Sequence, residues 1–397
     1  MGYLVLIGTK KGLFTATSDD RRDWVLKGPH ALDTDGFTAV AEIYAAACDP
    51  RTGQILVGAE SPHFGPSVWR SNDLAATWHE PQAAPLAFPG DLPYRPLDFS
   101  EAPGTDQPDS ERKNTVKRLW QLAFGPAEGL VWAGVEPTSL WRSDDGGRTF
   151  TFNHALWDHP DHETWGPGGG GAAVHTIVPD PDDPDTVTIA MSAGGIYQTR
   201  DGGHSWTGVT KGITVDYGPD PEPASGQCIH KVARDAGGTF FAQSHGPAYR
   251  STDPAAGWTD ISASLPSNFG FHITAHPTRP GTAMAYPVSD AMDRFPPDHR
   301  ISAWRTDDAG DTWRRWGSGL PTEDYFGIVL RDAACHDGDA DPAWYFGTRC
   351  GDVWAATDSG GQWHQVAAHL PDVLCVRAMN TAAMNTAAMN TTAVHTA

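Results

Sequence analysis

Three things are scarce in this chain, and each scarcity excludes something. Its 397 residues contain no run of about 18 apolar residues, so no helix is expected to cross a bilayer. The one apolar stretch near the start, residues 3–7, gives way to Lys10-Lys11 and is too short for the core of a secretion signal. Basic residues are few. With 28 Lys+Arg against 49 Asp+Glu the formal charge is −21, which disfavours nucleic acid or an anionic membrane as a partner and favours solubility. Cysteine is sparse as well: Cys48, Cys228, Cys335, Cys350 and Cys375 are odd in number and scattered, the usage of reduced thiols in a cytoplasmic protein.

Turn-forming and aromatic residues are plentiful instead. The 43 Gly, 32 Pro and 16 Trp suit an all-β protein with many turns and aromatic filling between sheets. Residues 139–150 read S-L-W-R-S-D-D-G-G-R-T-F, and six other segments, 17–24, 71–78, 199–206, 251–258, 306–313 and 356–363, are variants of it. The shared core is Ser/Thr-x-Asp-x-Gly-x-x-Trp/Phe, usually entered from a short apolar run. It has the make-up of a hairpin turn. The aspartate folds its carboxylate onto turn N–H groups, the glycine takes positive φ, and the aromatic opens the return strand. A catalytic or calcium array is the alternative use of seven aspartates, but residues repeated in every unit point to seven equivalent places.

This pattern resembles the Asp-box, or BNR repeat, of the Asp-box β-propellers, a family that includes sialidases, sortilin-like receptors, photosystem II assembly factors and many bacterial BNR-like proteins. The resemblance covers nearly the whole chain and implies a propeller; unrelated activities share the same turn, so it does not carry a function. Tested residue by residue, the sialidase pattern is incomplete. Residues 4–11 stand where sialidases carry a Phe-Arg-Ile-Pro-like motif. The resemblance would make Arg118, Arg349 and Arg377 an arginine set for a substrate carboxylate, and Tyr44 with Glu60 a nucleophile pair.

Counted from the aspartates at 19, 73, 145, 201, 253, 308 and 358, the repeats are 54, 72, 56, 52, 55 and 50 residues long, the length of a four-stranded blade. Each blade reads as an inner strand A, then B, then C leading into the aspartate turn, then D. The chain opens on a strand B at residues 3–9, so its first blade lacks strand A. Residues 373–377 have the right character to supply it. Pairing them with 3–9 closes a seven-bladed ring and hides two strand edges. One propeller is therefore expected over residues 1–378, with an irregular insertion at about 81–115 and a low-complexity tail at 379–397. Shorter interruptions at 157–171, 216–226 and 290–300 fall on the face opposite the aspartate turns, which marks that face as the functional one.

On that face the ends of strands A and B converge near the axis. Aligned on Asp-Pro-like corners, Tyr44, Trp120, His175, His230 and Phe271 occupy corresponding strand A positions, with Glu42, Arg118 and Cys228 two residues earlier. Three uses of this rim compete. In a glycosidase-like site, Glu60, Glu136 and Tyr44 are the catalytic candidates, with Lys10, Arg118, Trp120, Arg349 and Arg377 binding an anionic, small polar or glycosidic ligand. In a metal site, His175, His230 and His245, with Cys228 nearby, converge on one divalent transition metal. In a non-catalytic binder or assembly factor, the aromatic and charged rim grips a small ligand or a peptide.

Overall fold

A computed structural model of the chain describes residues 2–32, 41–61, 65–80, 86–95, 112–217 and 219–381. Its strands form seven antiparallel sheets, six of four strands and one of three, each built from consecutive strands except where the ring closes. There, Val373–Asn380 pairs antiparallel with Tyr3–Thr9, which continues to Gly12–Ser18 and Val25–Lys27. The protein is a seven-bladed β-propeller closed by its two ends. The closing strand runs past residue 378: Met379 and Asn380 pair with Leu4 and Tyr3, and Thr381 N–H donates to the Gly2 carbonyl. The rest of the expected tail and most of the 81–115 insertion lie outside the described residues. Among the described residues, the second blade, Glu42–Cys48, Ile55–Ser61 and Gly65–Ser71, has the Arg70–His79 bridge in place of a fourth strand.

The aspartate turns work as their composition requires. Asp145 accepts the N–H groups of Arg148 and Thr149 and the hydroxyls of Ser143 and Thr149 at 2.6–2.9 Å, and Asp308 makes the same bonds to Thr306 and Thr312. Three turns differ from the expected pattern; in the fifth, the Ser251 hydroxyl donates to the Gly257 carbonyl and Asp253 accepts from the Ala255 N–H. In the first, Asp20 accepts from Ser18, Arg22 and Asp23, while Asp19 takes the Gly2 N–H; that turn is one residue tighter than the others. In the last, Asp358 points inward rather than onto its turn, accepting from Trp344 Nε1, Arg279 and Arg305 in a buried inter-blade network. The aromatics closing the turns fill the wedges between blades. Trp258 Nε1 donates to the Val209 carbonyl and Trp313 Nε1 to the Ile261 carbonyl, each on the preceding blade.

One irregularity recurs at the hub. In six inner strands the pairing register slips by one residue at a bulge, and the residues left over are Leu374, Tyr44, Trp120, His175 and His230, with Phe271 and His272 sharing the sixth bulge opposite Tyr286. A bulge re-aims side chains out of the regular alternation. Here it turns the corresponding strand A positions toward the axis.

Candidate functional site at the propeller axis

Leu374, Tyr44, Trp120 and His175 line one axial pocket of about 240 Å³ together with Lys10, Arg118, Gly170, Leu330, Arg331, Asp332 and Arg349. Lys10 comes from a B–C turn and Gly170 from a short 3-10 helix, Gly168–Gly170, between strands D and A, so the pocket opens on the face opposite the aspartate turns. Tyr44 and Trp120 form its aromatic wall, with ring centroids 5.3 Å apart, and the Arg118 guanidinium lies 4.1 Å over the Tyr44 ring. Burial pushes the Tyr44 hydroxyl up to about 12, which leaves it a hydrogen-bonding phenol rather than a ready nucleophile.

The two expected catalytic glutamates do not face each other across this pocket. Both are held behind Arg118, whose Nε donates to Glu60 at 3.0 and 3.1 Å and whose Nη1 lies 3.9 Å from Glu136. Glu136, 1% exposed, also accepts from Trp120 Nε1 at 3.1 Å and pairs with Lys117 at 2.9 Å. A Cβ on Gly171 would come within 2.3 Å of its carboxylate, so backbone closes it in. Its site is that of a positioning group for Trp120 and Arg118. Glu60 differs: burial pushes its carboxyl up to about 7, against the opposing pull of Arg118.

Among the expected cations, Lys10, Arg118 and Arg349 reach the pocket; Arg349 is half exposed and paired with Asp372 at 2.8 Å. Arg377 does not belong to this rim. Four residues into the closing strand, it bonds the Asp332 carboxylate at 2.8 Å and reaches the opposite end of the hub, beside the Asp49-Pro50 and Asp180-Pro181 corners. Lys231 holds the other Asp332 oxygen, so a buried Lys–Asp–Arg triad crosses the hub.

Arg331 is the functional candidate that the sequence reading missed. Its guanidinium lies 5.6 Å from both the Trp120 and Phe271 rings, its Nε has no hydrogen-bond partner, and no carboxylate is within ion-pair reach among the described residues. Burial lowers its pKa, a sign of incomplete compensation. The seventh inner strand, Ala334–His336, is too short to show the pattern. Counting back five residues from its corner Asp337, as Tyr44 stands five before Asp49, would have reached Asp332 and its neighbour Arg331.

The histidines divide into two groups. His175 packs edge-on to Trp120 in the axial pocket, and its Nδ1 bonds Thr176. His230 stacks on Phe271 at 4.9 Å and sits with His245 and Cys228, the potential ligand atoms of the three lying within 4.8 Å of one another. The expected trio therefore re-forms as Cys228, His230 and His245, without His175.

No protein-family model matches the chain. It is 23% identical over 291 residues to an oligoxyloglucan-reducing end-specific xyloglucanase of Emericella nidulans, covering 65% of this chain and 33% of that enzyme. It is 25% identical over 333 residues to a xyloglucanase of Paenibacillus sp, covering 74% and 27%. Its sequence relatives include xyloglucanases. The chain spans about a third of the length of these curated relatives. Among solved structures, a Niastella koreensis GH74 enzyme superposes with a TM-score of 0.54 at 14% identity, over 93% of this chain and 58% of that one. An ancestral GH74 enzyme gives 0.52 at 13% identity, over 82% and 38%. These structural likenesses carry the fold alone. Among the described residues no helix is long and apolar enough to cross a membrane.

Proposed function

We propose that this protein is a glycoside-hydrolase-like propeller whose axial pocket binds a small, negatively charged ligand of the carbohydrate class. The observation that carries the reading is the convergence of the bulge residues Tyr44 and Trp120 with Lys10, Arg118, Arg331 and Arg349 on one pocket. Aromatic faces suit the apolar face of a sugar ring, and a guanidinium without an acidic partner suits a carboxylate. At about 240 Å³ the pocket is smaller than most ligand clefts, with room for one ring rather than a chain. The sequence relatives, whose names describe enzymes acting on xyloglucan, support the carbohydrate class. A reducing, cytoplasmic setting fits the five unpaired thiols.

Binding of glucuronate and of glucose, measured by calorimetry, tests this reading. We expect the uronate to bind and the neutral sugar to bind at least about tenfold more weakly, with R331M costing the uronate about 10–100-fold, the range of a charged hydrogen bond, and W120A about tenfold through the lost ring contact. Equal binding of both sugars, or uronate binding unchanged in R331M, would refute it.

A second reading, hydrolysis, rests on Glu60. A carboxyl held near 7 is suited to protonate a leaving group at neutral pH, but Glu60 lies behind Arg118 and outside the pocket lining, so this reading requires Arg118 to swing aside when the ligand binds. Turnover of aryl glycosides and aryl glucuronides that disappears in E60Q supports it; turnover retained in E60Q removes Glu60 from that role.

A further inference from the structure

A second site lies one blade away from the axial wall. Cys228 and His230 stand at the start of the fifth inner strand, Ile229–Arg234, and His245 follows its partner strand, Phe240–Ser244. In a regular strand Ile229 and Lys231 would face opposite ways from His230. The bulge at His230 instead turns its ring toward the hairpin end, where the His245 N–H is bonded to the Cys228 carbonyl at 2.8 Å. The three side chains are thereby gathered from 18 residues of sequence with no His-x-x-x-His spacing. Their donor atoms lie within 4.8 Å of one another, and the two imidazole planes are nearly perpendicular, at 81°.

We propose that Cys228, His230 and His245 bind a single zinc ion. The donor set suits it: one thiolate and two imidazoles favour zinc or a similar late transition metal over calcium or magnesium, which take oxygen ligands. The orientation of His230 is fixed for the purpose. Its Nδ1 hydrogen-bonds the Gly270 carbonyl, so Nδ1 carries the proton and Nε2 keeps its lone pair for the ion, the arrangement by which second-shell carbonyls hold metal-ligating histidines. A tetrahedral zinc with bonds of about 2.0–2.3 Å brings its donors to about 3.5 Å apart, so the set must draw in by up to about 1.3 Å. His245 can supply that movement, being only partly buried on the pocket wall, edge-on to Phe269 and Tyr217, with no ring hydrogen bond among the described residues, whereas His230 is buried, stacked on Phe271 and bonded to the Gly270 carbonyl.

Cys228 and His245 also line a pocket of about 640 Å³, with Tyr217, Asp216 and Asp290 among its other walls. Three protein ligands beside an open pocket leave the fourth coordination position for water or a ligand, the pattern of reactive rather than purely structural zinc. Uptake breaks the Cys228 S–H bond, forms an S–Zn bond and releases one proton to solvent.

The test uses the full chain, purified without a histidine tag, reduced, and stripped by a chelator. Titration with Co²⁺ should give one equivalent of thiolate-to-cobalt charge-transfer absorption, displaced by Zn²⁺. C228S should lose the band while keeping the wild-type circular dichroism. H245N, at a solvent-facing ligand, should weaken Zn²⁺ affinity by about tenfold or more. H175N, in the axial pocket, should bind as wild type. The proposal fails if no charge-transfer band appears, if the band survives in C228S and so arises at another thiol such as the exposed Cys350, or if H245N binds like the wild type. Should C228S not fold, H245N decides alone, since that side chain is only partly buried at the pocket wall.

Discussion

Replacing Glu60 by Gln separates a buried titrating carboxyl from an ordinary ion pair. Burial pushes Glu60 up to about 7 from its ordinary 4.5, and the Arg118 charge and hydrogen bonds only partly oppose the shift. The folded protein thus holds this proton more tightly than the unfolded chain. Between about pH 4.5 and 7 the folded state binds more protons, so stability falls as pH rises through that window; the contribution is whole below 4.5 and lost above 7. The interval corresponds to about 3 kcal/mol. With its side chain 13% exposed, Glu60 is little relieved by solvent. Glutamine does not titrate, so E60Q should lack this slope: relative to wild type it should gain about 3 kcal/mol between pH 4.5 and 8, on top of a constant cost from the weakened Arg118 contact. Urea unfolding followed by tryptophan fluorescence at several pH values gives both profiles. Parallel curves would mean that Arg118 keeps Glu60 an ordinary carboxylate, and the case for it as a proton donor near neutrality would end with them.

Three further outcomes follow from the fold. D145A removes a carboxylate serving four turn donors and should cost about 1–2 kcal/mol at pH 7 by urea unfolding. Those bonds hold Asp145 at about 2, below its ordinary 3.8, so its stabilisation is present above 3.8 and is lost as pH falls toward 2; wild type and D145A should converge there. D358N leaves Arg305, 3% exposed, with Asp307 as its remaining carboxylate and weakens the acceptor shared by Arg279, Arg305 and Trp344; it should cost about 1–3 kcal/mol, seen as a drop in Tm, and an unchanged Tm would show that the inter-blade network adds nothing to stability. Gly8→Val should abolish soluble expression or destabilise severely. Even a Cβ there would meet the Ile43 carbonyl at 2.5 Å and Cys375 Sγ at 2.4 Å, where the closing sheet packs on the second blade, whereas wild-type-like stability would mean that the seam is loose.

The ring was legible because its signals are local and repeated: a turn with its aspartate, glycine and aromatic announces a hairpin wherever it occurs, and the strand missing from the first blade could be sought at the other end. The exceptions arise where one residue is recruited elsewhere. Asp358 has the turn spacing, yet Arg279, Arg305 and Trp344 draw it inward, and those partners are 14 to 79 residues away. The two glutamates fail to face each other for a related cause. Glu60 and Glu136 do stand at strand B ends, but Arg118, from the inner strand between them in space, takes both, and no spacing rule reports which side a long guanidinium will choose.

The hub shows how a strongly acidic chain can still present a cationic binding site. Antiparallel blades put the aspartate turns and the A–B corners on one face, and the B–C and D–A connections on the other. Part of the acidic excess is bound to the first face by the turn motif itself, at Asp73, Asp145, Asp201 and Asp308, where it is satisfied by local N–H and hydroxyl donors. The opposite mouth receives Lys10, Arg118, Arg331 and Arg349, and the one acidic wall group, Asp332, is already held by Lys231 and Arg377. Net charge therefore misrepresents what a ligand meets. An anion approaching the decorated face meets these cations over low-dielectric aromatic walls, where their attraction is screened least. If that arrangement governs binding, K10Q should lower uronate affinity mainly through the association rate and its salt dependence, and R331M through the dissociation rate, because Lys10 is exposed whereas Arg331 is held against Trp120 and Phe271. Identical salt and rate effects for the two substitutions would mean that the pocket does not grade its charge with depth.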